Sequence, residues 1–169
     1  MNRVVTRGLK ESKDGIEGYV AHPERAEKGP AILMIHQHSG LTGYLKTAAY
    51  KFAQLGYTAV VPNLYHMLGY PAETHIDKGT EIQNKTPDPD FVRVIDRGWH
   101  YCLSRSDVDA ARVGIVGYCM GGRLGIHFVA ATPGRAPSSL TIRRCATNSR
   151  PKSGRAIPAM RHAKLNVRR

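Results

Sequence analysis

Short apolar runs alternating with amphipathic stretches narrow this chain to one architecture. Residues 30–35 (PAILMI), 57–61 (YTAVV) and 112–116 (RVGIV) are almost continuously apolar, as strands are when both faces of their sheet are covered. Between the first two runs, residues 44–55 place Leu45, Ala48, Ala49, Phe52, Ala53 and Leu55 largely on one helical face, with Gly56 as a stop. Phe91, Val94, Ile95, Trp99, Tyr101, Cys102 and Leu103 suit a second helix from Asp90 to about Ser104, with Asp88 and Asp90 near its start. Leu124 to Ala131 continue a helix that follows the third run. Strand, helix, strand crossovers of this length pair strands in parallel. The expected fold is therefore α/β: a mostly parallel sheet with helices on both faces. Gly15 to Ala21 are expected as an early strand on a sheet edge, closed by His22-Pro23. Residues 63–90, rich in Pro, Gly, Asn and Asp, are expected to lie as a long loop across the site.

A length of 169 residues suits one domain. A hydrophobic fraction of 41% and a charged fraction of 22% exclude collagen, wholesale disorder and a membrane bundle. The N-terminus lacks the apolar core of a secretory signal, and the longest apolar run cannot span a bilayer, so a cytoplasmic location is expected. The net charge of +12 is unevenly spread. Residues 133–169 hold ten Lys or Arg and no Asp or Glu, leaving 25 − 10 = 15 basic against 13 acidic residues before them. The expected organisation is a domain over residues 1–131 and a basic tail over 132–169, either disordered or translated out of frame.

The chemistry-bearing motif is Gly117-Tyr118-Cys119-Met120-Gly121-Gly122, between the third apolar run and the helix after it. Gly-x-Cys-x-Gly in that setting is a nucleophile elbow, a strained turn that holds a thiol out where a carbonyl can reach it. The N–H of the next residue, Met120, opens the helix and can donate to the oxyanion formed on attack. The loop after Ile35 is where this architecture places a second donor, and the backbone N–H of His38 is the candidate. A helix N-terminus also favours thiolate over thiol. Cys102 and Cys145 offer no such context and read as small core hydrophobes, with no CxxC pair or disulfide framework.

The segment PAILMIHQHSGLTGYLKTAAYKFAQLGYTAVVPNLY, residues 30–65, together with ARVGIVGYCMGGRLG, residues 111–125, resembles the dienelactone hydrolase family. The resemblance covers most of residues 15–131 and implies an incomplete α/β-hydrolase fold. It further implies a thiol nucleophile, Cys119, that opens a small ester or lactone through an acyl-enzyme without metal or organic cofactor, with Met120 and His38 as backbone oxyanion donors. Gln37 departs from the pattern, standing where the family usually places a glutamate that helps control the thiol. An amide cannot take up that proton. The family also implies an aspartate and a histidine after the nucleophile helix. No Asp or Glu follows Asp109, and His162 alone of the histidines follows His127. Impaired activity is expected.

His36 and His38, with His66 or His75 as a third ligand, raise a metal site. No local third ligand stands at a diagnostic spacing, so the pair is read as polar loop lining a pocket. His22, His100 and His127 read as surface or structural residues. The expected partner is a small ester or lactone, not a membrane. The alternative is a non-catalytic hydrolase-like protein whose basic tail binds nucleic acid or an acidic surface by counterion release. The absence of aromatic residues from 133–169 disfavours it. A partly uncovered sheet would leave an exposed face and edge, so oligomers or aggregates are also expected.

Overall fold

The computed structural model describes residues 2–71, 76–133, 137 and 139–143. Six strands, β1 (Val4–Leu9), β2 (Gly18–Pro23), β3 (Gly29–Ile35), β4 (Thr58–Pro62), β5 (Val108–Tyr118) and β6 (Ser139–Arg143), form one sheet in the order β1-β2-β4-β3-β5-β6. β2 is antiparallel to β1 and β4, whereas β4, β3, β5 and β6 run parallel. The helices are α1 (Glu11–Asp14), α2 (Gly43–Gln54), α3 (Leu64–Met67), α4 (Ile76–Lys85), α5 (Asp88–Ser104) and α6 (Met120–Ala131).

The order of the strands explains the layers. From β3 the chain passes through α2 to β4 on one side, then returns through α5 to β5 on the other. Right-handed crossovers in opposite directions put their helices on opposite faces. The side chains of β3 divide accordingly. Ala31, Leu33 and Ile35 join the core with Phe91, Ile95 and Phe128, while Ile32 and Met34 join Leu45, Ala49 and Ala53 of α2. Phe91 and Phe128 are fully buried, each contributing roughly 1.5–3 kcal/mol relative to exposure. The reversal makes the carboxyl ends of β3 and β5 the switch point, where open α/β sheets bind ligands.

Several expectations need correction. β2 is not an edge strand: it lies between β1 and β4, and β1 forms the edge. The polar residues of VVTRGL obscured β1, where Arg7 pairs with Asp14 at 2.8 Å and reaches the Tyr101 hydroxyl at 3.2 Å. Residues 63–90 are not a plain loop. They contain α3, where the Asn63 side chain accepts from the His66 N–H at 3.4 Å, and α4. The four residues of α3 are too few to show a helical period. The α/β pattern also continues past Thr132, because β6 pairs with β5 from Gly114 opposite Ser139 to Tyr118 opposite Arg143. On the face that carries α2, a groove of about 500 Å³ runs between that helix and β6, bordered by Ile32, Phe52, Leu55, Tyr57, Val116 and Thr141.

Candidate active site

Cys119 sits at the junction of β5 and α6 with φ 52° and ψ −110°, alone among the described non-glycine residues in having a positive φ. Such a backbone costs of order 1–3 kcal/mol and persists only where its surroundings enforce it. Here the flanking glycines permit the enforcement. A Cβ on Gly117 would overlap Gly121 O and lie 2.6 Å from the Gly122 Cα. One on Gly121 would lie 2.7 Å from His36 O and closer still to Ile35 O. The first turn of α6 thus folds back on its own strand and rests on the end of β3. The Cys119 carbonyl accepts from the Gly122 N–H at 3.0 Å, and the thiol is exposed. The side chain of Met120 points inward and is buried.

The register between the two strands, Ile35 opposite Gly117, brings the loop after β3 beside the elbow. Tyr65 of α3 ties the loop to its neighbours. Its buried hydroxyl donates to His38 O at 2.7 Å, with Gly79 O at 3.2 Å as the second acceptor, and lies 3.7 Å from the Met120 sulfur. Burial pushes this phenol well above its ordinary pKa, so it remains a donor. Sequence reasoning missed Tyr65 because it falls in the stretch taken for a loop. The one signal was Asn63, a helix-capping residue directly after a strand. Gln37 is half-buried and donates from Nε2 to Ser39 Oγ at 2.7 Å.

The expectation that His36 lines a pocket is incorrect. The ring is fully buried, Nδ1 lies 2.7 Å from Gln37 O, and Nε2 lies 3.1 Å from the Leu64 N–H. Both nitrogens are engaged with backbone, which leaves neither free to ligate. No group of three His, Cys, Asp or Glu side chains able to hold a metal comes together among the described residues. His75, Cys145 and His162 lie outside the described residues. His22, His100 and His127 lie 3.7, 3.6 and 3.3 Å from Asp107, Asp96 and Asp88, in keeping with structural or surface roles. Cys102 is buried, and burial pushes its thiol up to about 12, in contrast to the exposed Cys119. Among the described residues, no histidine or carboxylate bonds the Cys119 thiol.

A mostly parallel sheet covered by helices, with an elbow at its switch point, defines the class: an α/β-hydrolase fold. The chain belongs to the dienelactone hydrolase family, whose sequence profile matches residues 16–139. It is 32% identical over 124 residues to a Methylorubrum extorquens protein named "Putative carboxymethylenebutenolidase", a match covering 72% of this chain and 43% of that protein. An Aquifex aeolicus protein of the same name is 32% identical over 136 residues, covering 76% and 57%. A crystal structure from Klebsiella pneumoniae, titled as a "Putative Dienelactone Hydrolase", superposes with a TM-score of 0.67 at 28% identity, covering 78% of this chain and 57% of that one. The chain spans about half the length of the curated relatives it matches.

Proposed function

We propose that this chain opens a small ester or lactone through a cysteine acyl-enzyme, working in the cytoplasm. The backbone of Cys119 carries this reading: a strained positive φ at a strand-to-helix turn, with the thiol exposed above the switch point. The Cys119 thiolate attacks the carbonyl carbon, and the carbonyl π pair moves onto oxygen. The backbone N–H groups of Met120 and His38 donate to that oxyanion. Its collapse expels the alkoxide, which takes a proton from solvent, and leaves a thioester on Cys119. Water then releases the acid. None of these steps calls for a metal or organic cofactor.

The two halves of the reaction make different demands. Acylation needs a thiolate and oxyanion donors, whereas deacylation needs a base to activate water. Gln37, an amide where the family resemblance implies a thiol-controlling carboxylate, leaves acylation to the thiolate that the helix N-terminus favours, and no described histidine bonds the thiol to serve as base for water. Acylation should therefore outrun deacylation. A small ester fits this region better than a membrane or nucleic acid. Residues 1–132 are close to neutral, and no helix among the described residues is long and apolar enough to cross a membrane.

The test is a stopped-flow reaction of the chain with p-nitrophenyl acetate. We expect a burst of one nitrophenolate per chain followed by slow turnover, with mass spectrometry locating the acetyl group on Cys119. Cys119→Ser should lose the burst. Equal traces from the two proteins would remove Cys119 from the mechanism.

A further inference from the structure

The buried ring of His36 makes its hydrogen bonds only to backbone. Leu64 N–H donates to Nε2 at 3.1 Å, which places the ring proton on Nδ1. Nδ1–H therefore donates to the carbonyl of Gln37 at 2.7 Å. Burial holds the ring neutral, lowering its pKa to about 4, so the acceptor at Nε2 persists at neutral pH. The ring also packs edge-on to Tyr65, with centroids 4.8 Å apart.

These contacts bear on the next residue. All described peptide bonds are trans, so Gln37 C=O and His38 N–H point in opposite directions within one rigid plane. Whatever fixes the carbonyl fixes the direction of the N–H. The following peptide is fixed as well, because Tyr65 donates to His38 O at 2.7 Å. Two buried rings thus hold both carbonyls that flank the His38 Cα, and Gln37 O accepts a second bond from the Gly40 N–H at 3.0 Å that closes the turn. No hydrogen bond within the described residues takes up the His38 N–H.

We propose that His36 is a positioning residue for the oxyanion donor: through its bond to Gln37 O it aims the His38 N–H at the carbonyl under attack by Cys119. This rests on the reading of His38 as a donor. His36 itself touches no substrate, and its contribution is directional. Oxyanion donors act through preorganisation, and an N–H free to swing would lose most of its effect.

Two isosteres separate the two ring nitrogens. In His36→Asn the amide nitrogen stands near Nδ1 and can still donate to Gln37 O. In His36→Gln the terminal group stands near Nε2 and can serve Leu64 N–H, but the ring donor to Gln37 O is gone and the Gly40 N–H, at 3.0 Å, holds that carbonyl alone. In the p-nitrophenyl acetate burst, His36→Gln should acylate roughly 10- to 100-fold more slowly than wild type, with the half-saturating ester concentration within about threefold. His36→Asn should recover at least about tenfold of that loss. A merely structural role predicts that rate follows denaturation midpoint whichever nitrogen is replaced, and that outcome overturns the proposal.

His38→Pro deletes the donor itself and tests the underlying reading separately. Wild-type acylation by a folded His38→Pro would remove His38 as donor. Slow acylation by His38→Pro with wild-type acylation by His36→Gln would keep the donor and overturn the positioning role. Should the variants fail to fold, 15N NMR of the wild-type chain decides: His36 must carry its proton on Nδ1 at neutral pH, and a proton on Nε2 overturns the proposal.

Discussion

Replacing Gly121 by alanine probes the contact that joins the elbow to the rest of the site. The added Cβ would lie 2.7 Å from His36 O, against a comfortable carbon–oxygen separation of about 3.3 Å, so the first turn of α6 must retreat by at least roughly 0.6 Å. The closer approach to Ile35 O makes this a lower bound. Overpacking of this kind costs about 1–3 kcal/mol. A misplacement of 1 Å in a reacting group costs on the order of 100-fold in rate, so the acylation burst should slow roughly 10- to 100-fold. Gly125→Ala in the same helix is the matched control, since its Cβ would meet Ile35, Leu140 and Ile115 side chains at 3.4, 3.5 and 3.6 Å. It should be neutral, or stabilising by up to about 1 kcal/mol through helix propensity. Urea denaturation and stopped-flow acylation of both variants provide the comparison. Indistinguishable stabilities and burst rates for the two would refute the close-approach argument.

Four further outcomes are expected. Because burial lowers His36 to about 4 while the unfolded chain protonates near 6.5, the unfolded state binds more protons between those values. Stability should be fully present above about pH 6.5 and decline as pH falls towards about 4, by up to roughly 3 kcal/mol, and His36→Asn should flatten that slope in urea titrations. In a Cys145→Ser background, iodoacetamide should label Cys119 in the native state and Cys102 only after unfolding; native labelling of Cys102 would contradict its burial. Tyr65→Phe should cost about 1–2 kcal/mol and slow the burst, because the hydroxyl serving His38 O is lost. Leu55 is 74% exposed at the rim of the groove beside α2, and Leu55→Lys should weaken any self-association seen by sedimentation velocity.

The sequence by itself determined the elements whose signal is local. The runs at 30–35, 57–61 and 112–116 became β3, β4 and the middle of β5, and the apolar faces of residues 44–55 and 90–104 became α2 and α5. A strand buried on both sides must be apolar throughout, and a helix on a sheet must repeat near every 3.6 residues, so both leave a pattern in the chain. The elbow was legible because two close backbone approaches admit only glycine at 117 and 121. Tertiary structure alone decided what depends on partners distant in sequence. β1 and β6 are strands because β2 and β5 offer them a ladder. The four-residue α3 acquires its importance from Tyr65, which reaches His38 across 27 positions. His36 read as part of a polar loop lining a pocket because spacing records residue type and not what surrounds it. Burial and two backbone partners, 28 residues apart in the case of Leu64, make it a structural anchor instead.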